Sequence, residues 1–362
     1  MAFLITPRVL GHEGNGMMFM ESLLALLLFV GLQQTLDECL HSADTAGRND
    51  PVGAERRLQE CLEQYPENIT PYLRLCALYQ KEAKFAELYE VALKGLKRFP
   101  DERRFYLAVG VQAGREGRCS QAVDVLSAGY ERWPEDPGFR KYLVDAYQCR
   151  GMHRLDKGDN GEAVKDFTRL LELDPNNISA LLNLGRAQHN MQRSSDALKT
   201  FDRIAALDPY TPLIHFHRGV ALYSLGLFDE SIETLNRQIA ILPTHAKSHY
   251  FRGLAHYYKG AWQEALEDLT IAVEGLPHSS DAVFRLGRCM EHFGRFKEAE
   301  DAFIRSSRLN PGDVRPVYAL GYLMARSGRN DEAEKFLNRA IELYEKKISR
   351  HPAGMSFQSI KP

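Results

Sequence analysis

The sequence predicts an all-α fold of about nine stacked helical hairpins. Two observations predict it: a proline that returns every 34 residues, and three further residue classes held in phase with that proline. The prolines are Pro66, Pro100 and Pro134, then, after a gap of 41, Pro175, Pro209, Pro243, Pro277 and Pro311. A glycine lies 24 residues before six of them, at Gly110, Gly151, Gly185, Gly219, Gly253 and Gly287, and Gly321 continues the series. A small residue lies 12 before, at Ala54, Ala122, Ala163, Ala197, Ala265 and Ala299, with Leu88 and Ser231 as departures. A large apolar residue lies 8 before, as at Leu126, Phe167, Phe201, Leu235, Leu269 and Phe303.

Each class has a physical reason. Glycine and alanine let two helix backbones approach where they cross, and the Phe/Leu position fills the groove beside them. Proline cannot continue the hydrogen-bond ladder, so it stops the second helix. The breakers between helices, such as SLGLFDES and HFGRFKEA, carry a glycine able to adopt a left-handed turn. A hairpin of this kind cannot bury its surface alone, so stability comes from stacking on its neighbours.

The stretches ALLNLGRAQHNMQRSSDALKTFDRIAALDP (180–209) and AVFRLGRCMEHFGRFKEAEDAFIRSSRLNP (282–311) show the Leu-Gly, Ala, Phe and Pro positions in order. In this the chain resembles the tetratricopeptide repeat family. The resemblance implies a right-handed α-solenoid, a superhelix of about nine units: 35–68, 69–102, 103–136, 144–177, 178–211, 212–245, 246–279, 280–313 and 314–347. The first two are degenerate, with Ser42 and Cys76 in place of the helix glycine and Gly95 in place of a later alanine.

The organisation expected is an N-terminal segment 1–34, N-terminal repeats 35–136, C-terminal repeats 137–347 and a flexible tail 348–362. The seven extra residues after Pro134 equal about two helical turns, so one lengthened first helix is expected over 139–157. WPEDPG (133–138) is the expected sub-boundary. In the N-terminal segment the apolar run Leu23–Leu32 is too short to span a bilayer unaided. Residues 17–32 read equally as an export signal or membrane anchor and as an apolar helix packed on the first repeat. The first reading implies a membrane-associated or exported chain, the second a cytoplasmic one.

A formal net charge of −2 argues against a nucleic-acid binder, which needs a basic excess. The six cysteines form no CxxC pair, and their irregular spacing reads as free, mostly buried thiols. No catalytic motif is present. GHEGNG lacks the second histidine of a helical zinc site, and neither a GxxxxGK[ST] nor a GxSxG stretch occurs. His215, His249 and His256 read as packing residues, so no metal and no cofactor is expected. Asn68-Ile-Thr and Asn177-Ile-Ser fit a glycosylation sequon.

The resemblance further implies that first helices line a concave face that meets the ligand. Carried onto this sequence, that face presents Asn183, Arg186, Phe216, His217, Tyr223, Tyr250, Phe251, Tyr257, Tyr258, Arg285, Arg288, Tyr322 and Arg326. Aromatic residues with arginine are the usual anchors of protein interfaces, and arginine pairs with carboxylate in two-point geometry. The expected function is a non-enzymatic scaffold that binds an extended or helical segment of another protein, with an acidic group near Arg285 and Arg288. The alternative is an accessory subunit that positions a catalytic partner. The carboxylate clamp of the family's chaperone-binding members is not matched. Asn183 takes its middle position, but Gln148 and Met152 precede it and Leu213 and His217 follow.

Overall fold

The computed structural model describes residues 35–46 and 50–350. The apolar stretch 17–32 and the tail beyond 350 lie outside the described residues. Among the described residues the chain is all-α, an α-solenoid without strands, and no helix is long and apolar enough to cross a membrane.

Two compact units divide between His153 and Arg154. The first contains α1 (35–46), α2 (Pro51–Gln64), α3 (Ile69–Lys81), α4 (Phe85–Arg98), α5 (Arg103–Arg115) and α6 (Cys119–Arg132). The division falls inside α7 (Pro137–Asp156). The second unit continues with α8 (Asn160–Leu173), α9 (Ile178–Asn190), α10 (Ser194–Leu207), α11 (Ile214–Ser224) and α12 (Phe228–Ile241). It closes with α13 (Ala246–Lys259), α14 (Trp262–Gly275), α15 (Ser280–His292), α16 (Phe296–Leu309), α17 (Val314–Arg326) and α18 (Asn330–Arg350). Glu345 stands 34 residues after Pro311, where a proline would be due, so nothing stops α18 and it runs for 21 residues.

Helix starts and turns follow from local chemistry. Asn68, Asn177 and Asp313 cap α3, α9 and α17, their side-chain oxygens accepting from Thr70, Ala180 and Arg315 backbone N–H at 2.9, 3.0 and 3.0 Å. The two sequon asparagines are thus capping residues. In the tight turns inside the hairpins, Gly226 and Gly260 have φ of +76° and +77°, where an L side chain is strained. One first helix is shortened. Pro212 is followed by Leu213 at φ +61°, and α11 begins only at Ile214, so Leu213 precedes the helix rather than lying on its face.

The crossings are as tight as the small residues suggest. A Cβ on Gly185 would sit 2.4 Å from Phe201, on Gly219 2.6 Å from Leu235, and on Gly287 2.7 Å from Phe303. Ala122, Ala163, Ala197, Ala265 and Ala299 are completely buried. At the departure Ser231, also fully buried, the hydroxyl donates to the Gly219 carbonyl at 2.8 Å, so the crossing keeps its polar atom satisfied. Phe105, Phe139, Phe167 and Phe303 are enclosed, and each contributes about 2 kcal/mol from burial.

One sequence expectation is corrected here. Four of the six cysteines are not free thiols: Cys39 is bonded to Cys61 and Cys119 to Cys149, with Cα separations of 6.0 and 5.7 Å. Only Cys76 and Cys289 remain as thiols. The hairpin register brings the paired residues together although the spacings along the chain look irregular.

Candidate functional site

The predicted face lies in the second unit and is built by α9, α11, α13, α15 and α17. Its centre is a connected run of rings. Phe216 on α11 meets His245 edge-on at 5.0 Å, His217 at 5.3 Å and Phe251 at 5.9 Å. Phe251 on α13 also meets Tyr250 at 5.1 Å and Tyr223 at 5.6 Å. Tyr223 reaches Tyr258 at 6.1 Å, and Tyr258 meets Tyr257 at 5.5 Å. All of these pairs but the tilted Tyr223–Tyr258 are edge-to-face, which suits the ring quadrupole and holds the aromatic planes in place. Burial, then the neighbouring Tyr258, pushes the Tyr223 hydroxyl up, so it stays protonated. His217 stacks on Phe201 at 5.3 Å. Burial first, then the charge of Arg186, lowers its pKa to about 4, so its ring is neutral at pH 7.

The rings end on a charged cluster. The Arg285 guanidinium lies 5.2 Å from the Tyr257 ring centre, 5.5 Å from that of Tyr258 and 5.8 Å from that of Phe284. It donates to the Tyr258 hydroxyl at 3.2 Å. Asp281 accepts from Tyr250 at 2.5 Å, pairs with Arg315 at 2.7 Å and lies 3.7 Å from Arg285. Burial would raise its pKa, but the Tyr250 hydroxyl and the two arginines outweigh it and hold the carboxyl below its usual range. A second cluster centres on the buried Glu291, which pairs with Arg288 at 2.7 Å and with Arg326 at 3.9 Å. Arg326 also covers Phe296 at 5.2 Å and Tyr322 at 5.9 Å. Tyr258 and Tyr322 are about half exposed, at 50% and 49%.

Of the predicted residues, Phe216, His217, Tyr223, Tyr250, Phe251, Tyr257, Tyr258 and Arg285 are brought together. Arg288, Arg326 and Tyr322 form the neighbouring group. Asn183 and Arg186 bond to each other, Nη1 to Oδ1 at 3.0 Å, and the Arg186 charge acts on His217 at the edge of the row. Sequence reasoning placed Asp281 and Glu291 on the same face but took the arginines as open anchors and did not pair them with these two carboxylates, which hold them. The i,i+4 spacing of Asp281 to Arg285 and the i,i+3 spacing of Arg288 to Glu291 carried that signal. The face offers a row of apolar rings bordered by arginines, and no three His, Cys, Asp or Glu residues come together to hold a metal among the described residues.

The histidine read as packing at 249 has a stronger role. His249 is buried with Nδ1 2.9 Å from Asp268 and Nε2 2.9 Å from the Pro243 carbonyl. Asp268 also takes two bonds from Arg252, at 2.6 and 2.8 Å. This network ties α13 to α14.

Tetratricopeptide repeat profiles match residues 154–215 and, in three copies, 190–246, 250–314 and 294–347. The chain belongs to the tetratricopeptide repeat family. Among solved structures, Cut9 in the APC/C hetero-tetramer Cut9–Hcn1 is 16% identical with a TM-score of 0.51, over 83% of this chain and 56% of that one. That likeness is one of fold. MamA is 26% identical over 47% of this chain and 98% of its own, with a TM-score of 0.42. YrrB, described as a tetratricopeptide repeat protein with an unusual peptide-binding site, is 20% identical over 49% of this chain and 91% of its own, also with a TM-score of 0.42. No curated protein matches the chain.

Proposed function

We propose that this tetratricopeptide repeat protein is a non-catalytic scaffold whose first-helix face in the second unit takes up a segment of another protein. Apolar side chains of that segment lie on Tyr223, Phe251 and Tyr258, and an acidic group meets Arg288 and Arg326. The observation that carries the reading is the charge balance beside the rings. Among the described residues Arg285 and Arg315 are matched by Asp281 and Asp313, whereas Arg288 and Arg326 share the single carboxylate of Glu291. One positive charge is left over at the second cluster, so the acidic contact moves from Arg285 toward Arg326, whose side chain is half exposed.

Arg288→Glu combined with Arg326→Glu is expected to reduce affinity capture of the partner from the native source by about tenfold or more, the loss of roughly 1.4 kcal/mol or more. Far-UV circular dichroism should not change. Capture equal to wild type would refute the acidic contact. Arg285→Glu is a poorer probe because it sets a second carboxylate beside Asp281 and disturbs the fold as well.

A further inference from the structure

One set of contacts between residues 30 apart recurs along the chain with a shared geometry. Each joins the first residue of a second helix to the thirteenth residue of the next first helix. Phe85 lies under the Arg115 guanidinium at 4.9 Å. Asn190 donates to Asn160 at 3.1 Å. Phe228 stacks on Tyr258 at 5.7 Å with planes 8° apart, and Trp262 on His292 at 4.2 Å with planes 14° apart. Phe296 lies under Arg326 at 5.2 Å. The chemistry changes from hairpin to hairpin while the place does not. In a stacked array the contact between neighbours is what couples one hairpin to the next.

Cys119 and Cys149 occupy this same place between α6 and α7. Here the contact is a covalent bond. The second disulfide, Cys39–Cys61, ties α1 to α2 in the first hairpin, where Ser42 replaces the crossing glycine. Both bonds lie in the first unit. We propose that Cys119–Cys149 is a covalent latch between α6 and α7, and that the chain works in an oxidising compartment where that latch is closed. Structural disulfides persist in such compartments and are reduced in the cytosol. Each bond forms when two thiols give up two protons and two electrons to the disulfide of a thiol–disulfide exchange catalyst, which leaves as a dithiol. The remaining thiols do not compete. Burial raises the pKa of Cys76 and of Cys289 to about 12, which leaves almost no thiolate to attack either bond.

The test uses the full chain purified without reductant from its native source. Alkylation followed by mass measurement of the unfolded chain should add two groups without reductant and six after reduction. Six groups without reductant would overturn the proposal. Limited proteolysis of the α6–α7 connection tests the latch itself. Cys119→Ser with Cys149→Ser is expected to speed cleavage there at least tenfold, and Cys119→Phe with Cys149→Tyr, which copies the Phe228–Tyr258 pair, to restore the slow rate. A rate that the serine pair does not change, or that the aromatic pair does not restore, would overturn it. Should the serine variant fail to fold, reducing the folded wild-type chain gives the same comparison, and Cys39→Ser with Cys61→Ser separates the contribution of the first hairpin.

Discussion

Gly185→Leu is expected to destabilise the α9–α10 hairpin by about 3 kcal/mol, the upper part of the usual range for overpacking. The reason is geometric. Even the first carbon of a side chain at 185 would stand 2.4 Å from Cε1 of Phe201 and 2.7 Å from its Cζ. Phe201 has nowhere to go, being 2% exposed with Ala197 and Ile204 completely buried beside it. The gain in helix propensity on replacing glycine, about 1 kcal/mol, offsets only part of the strain. Gly253 is a useful contrast. A Cβ there would lie 3.0 Å from the Cβ of Asp268 and the Cγ of Leu269, so Gly253→Ala should cost clearly less than Gly185→Ala. Hydrogen exchange of the α9 and α10 amides in the two Gly185 variants, and of the α13 and α14 amides in Gly253→Ala, measures the order directly. Equal protection in all three would show that these glycines do not set the helix separation.

Asp268→Ala is the second change with a large expected effect. Asp268 is 3% exposed, accepts two bonds from Arg252 and faces Nδ1 of His249. Removing the carboxylate strands both partners. A broken buried pair costs roughly 3–5 kcal/mol. We expect the lower end, about 3 kcal/mol, because the Arg252 side chain is 22% exposed and also donates to Asn236. Amides of α13 and α14 should then exchange on the order of 100-fold faster, since each 1.4 kcal/mol is about a factor of ten. Asp268→Asn, which keeps an acceptor, should fall between. An unchanged exchange pattern in Asp268→Ala would mean that the network is not what joins these helices.

Much of the fold was legible because its determinants are local and periodic. Pro175, Gly185, Ala197 and Phe201 each act on a neighbour within one hairpin, so a period of 34 exposes them all. The end of α18 was less legible, since a stop signal is missing there and helix propensity alone decides. The shortening of α11 was written in Pro212, but the family pattern placed Leu213 on the face regardless. The ring row was legible for the same periodic reason. Its electrostatics were not: Asp281 pairs with Arg315 across to the next first helix, and that contact has no local signature. The disulfides were missed because the cysteine spacings were compared with one another. The separation of 30 between Cys119 and Cys149 has meaning only in the register of the hairpins, where Phe228 and Tyr258 have it too.

The central claim is that the first-helix face of the second unit, and not the second-helix surface, receives the partner. Photo-crosslinking side chains placed at Tyr258 and Tyr322 on the first helices, and at Lys199 and Glu233 exposed on the second helices, test it most directly. The account predicts one protein species joined to the chain from positions 258 and 322 and not from 199 or 233. The same species joined from 199 or 233, with nothing from the first helices, would contradict it.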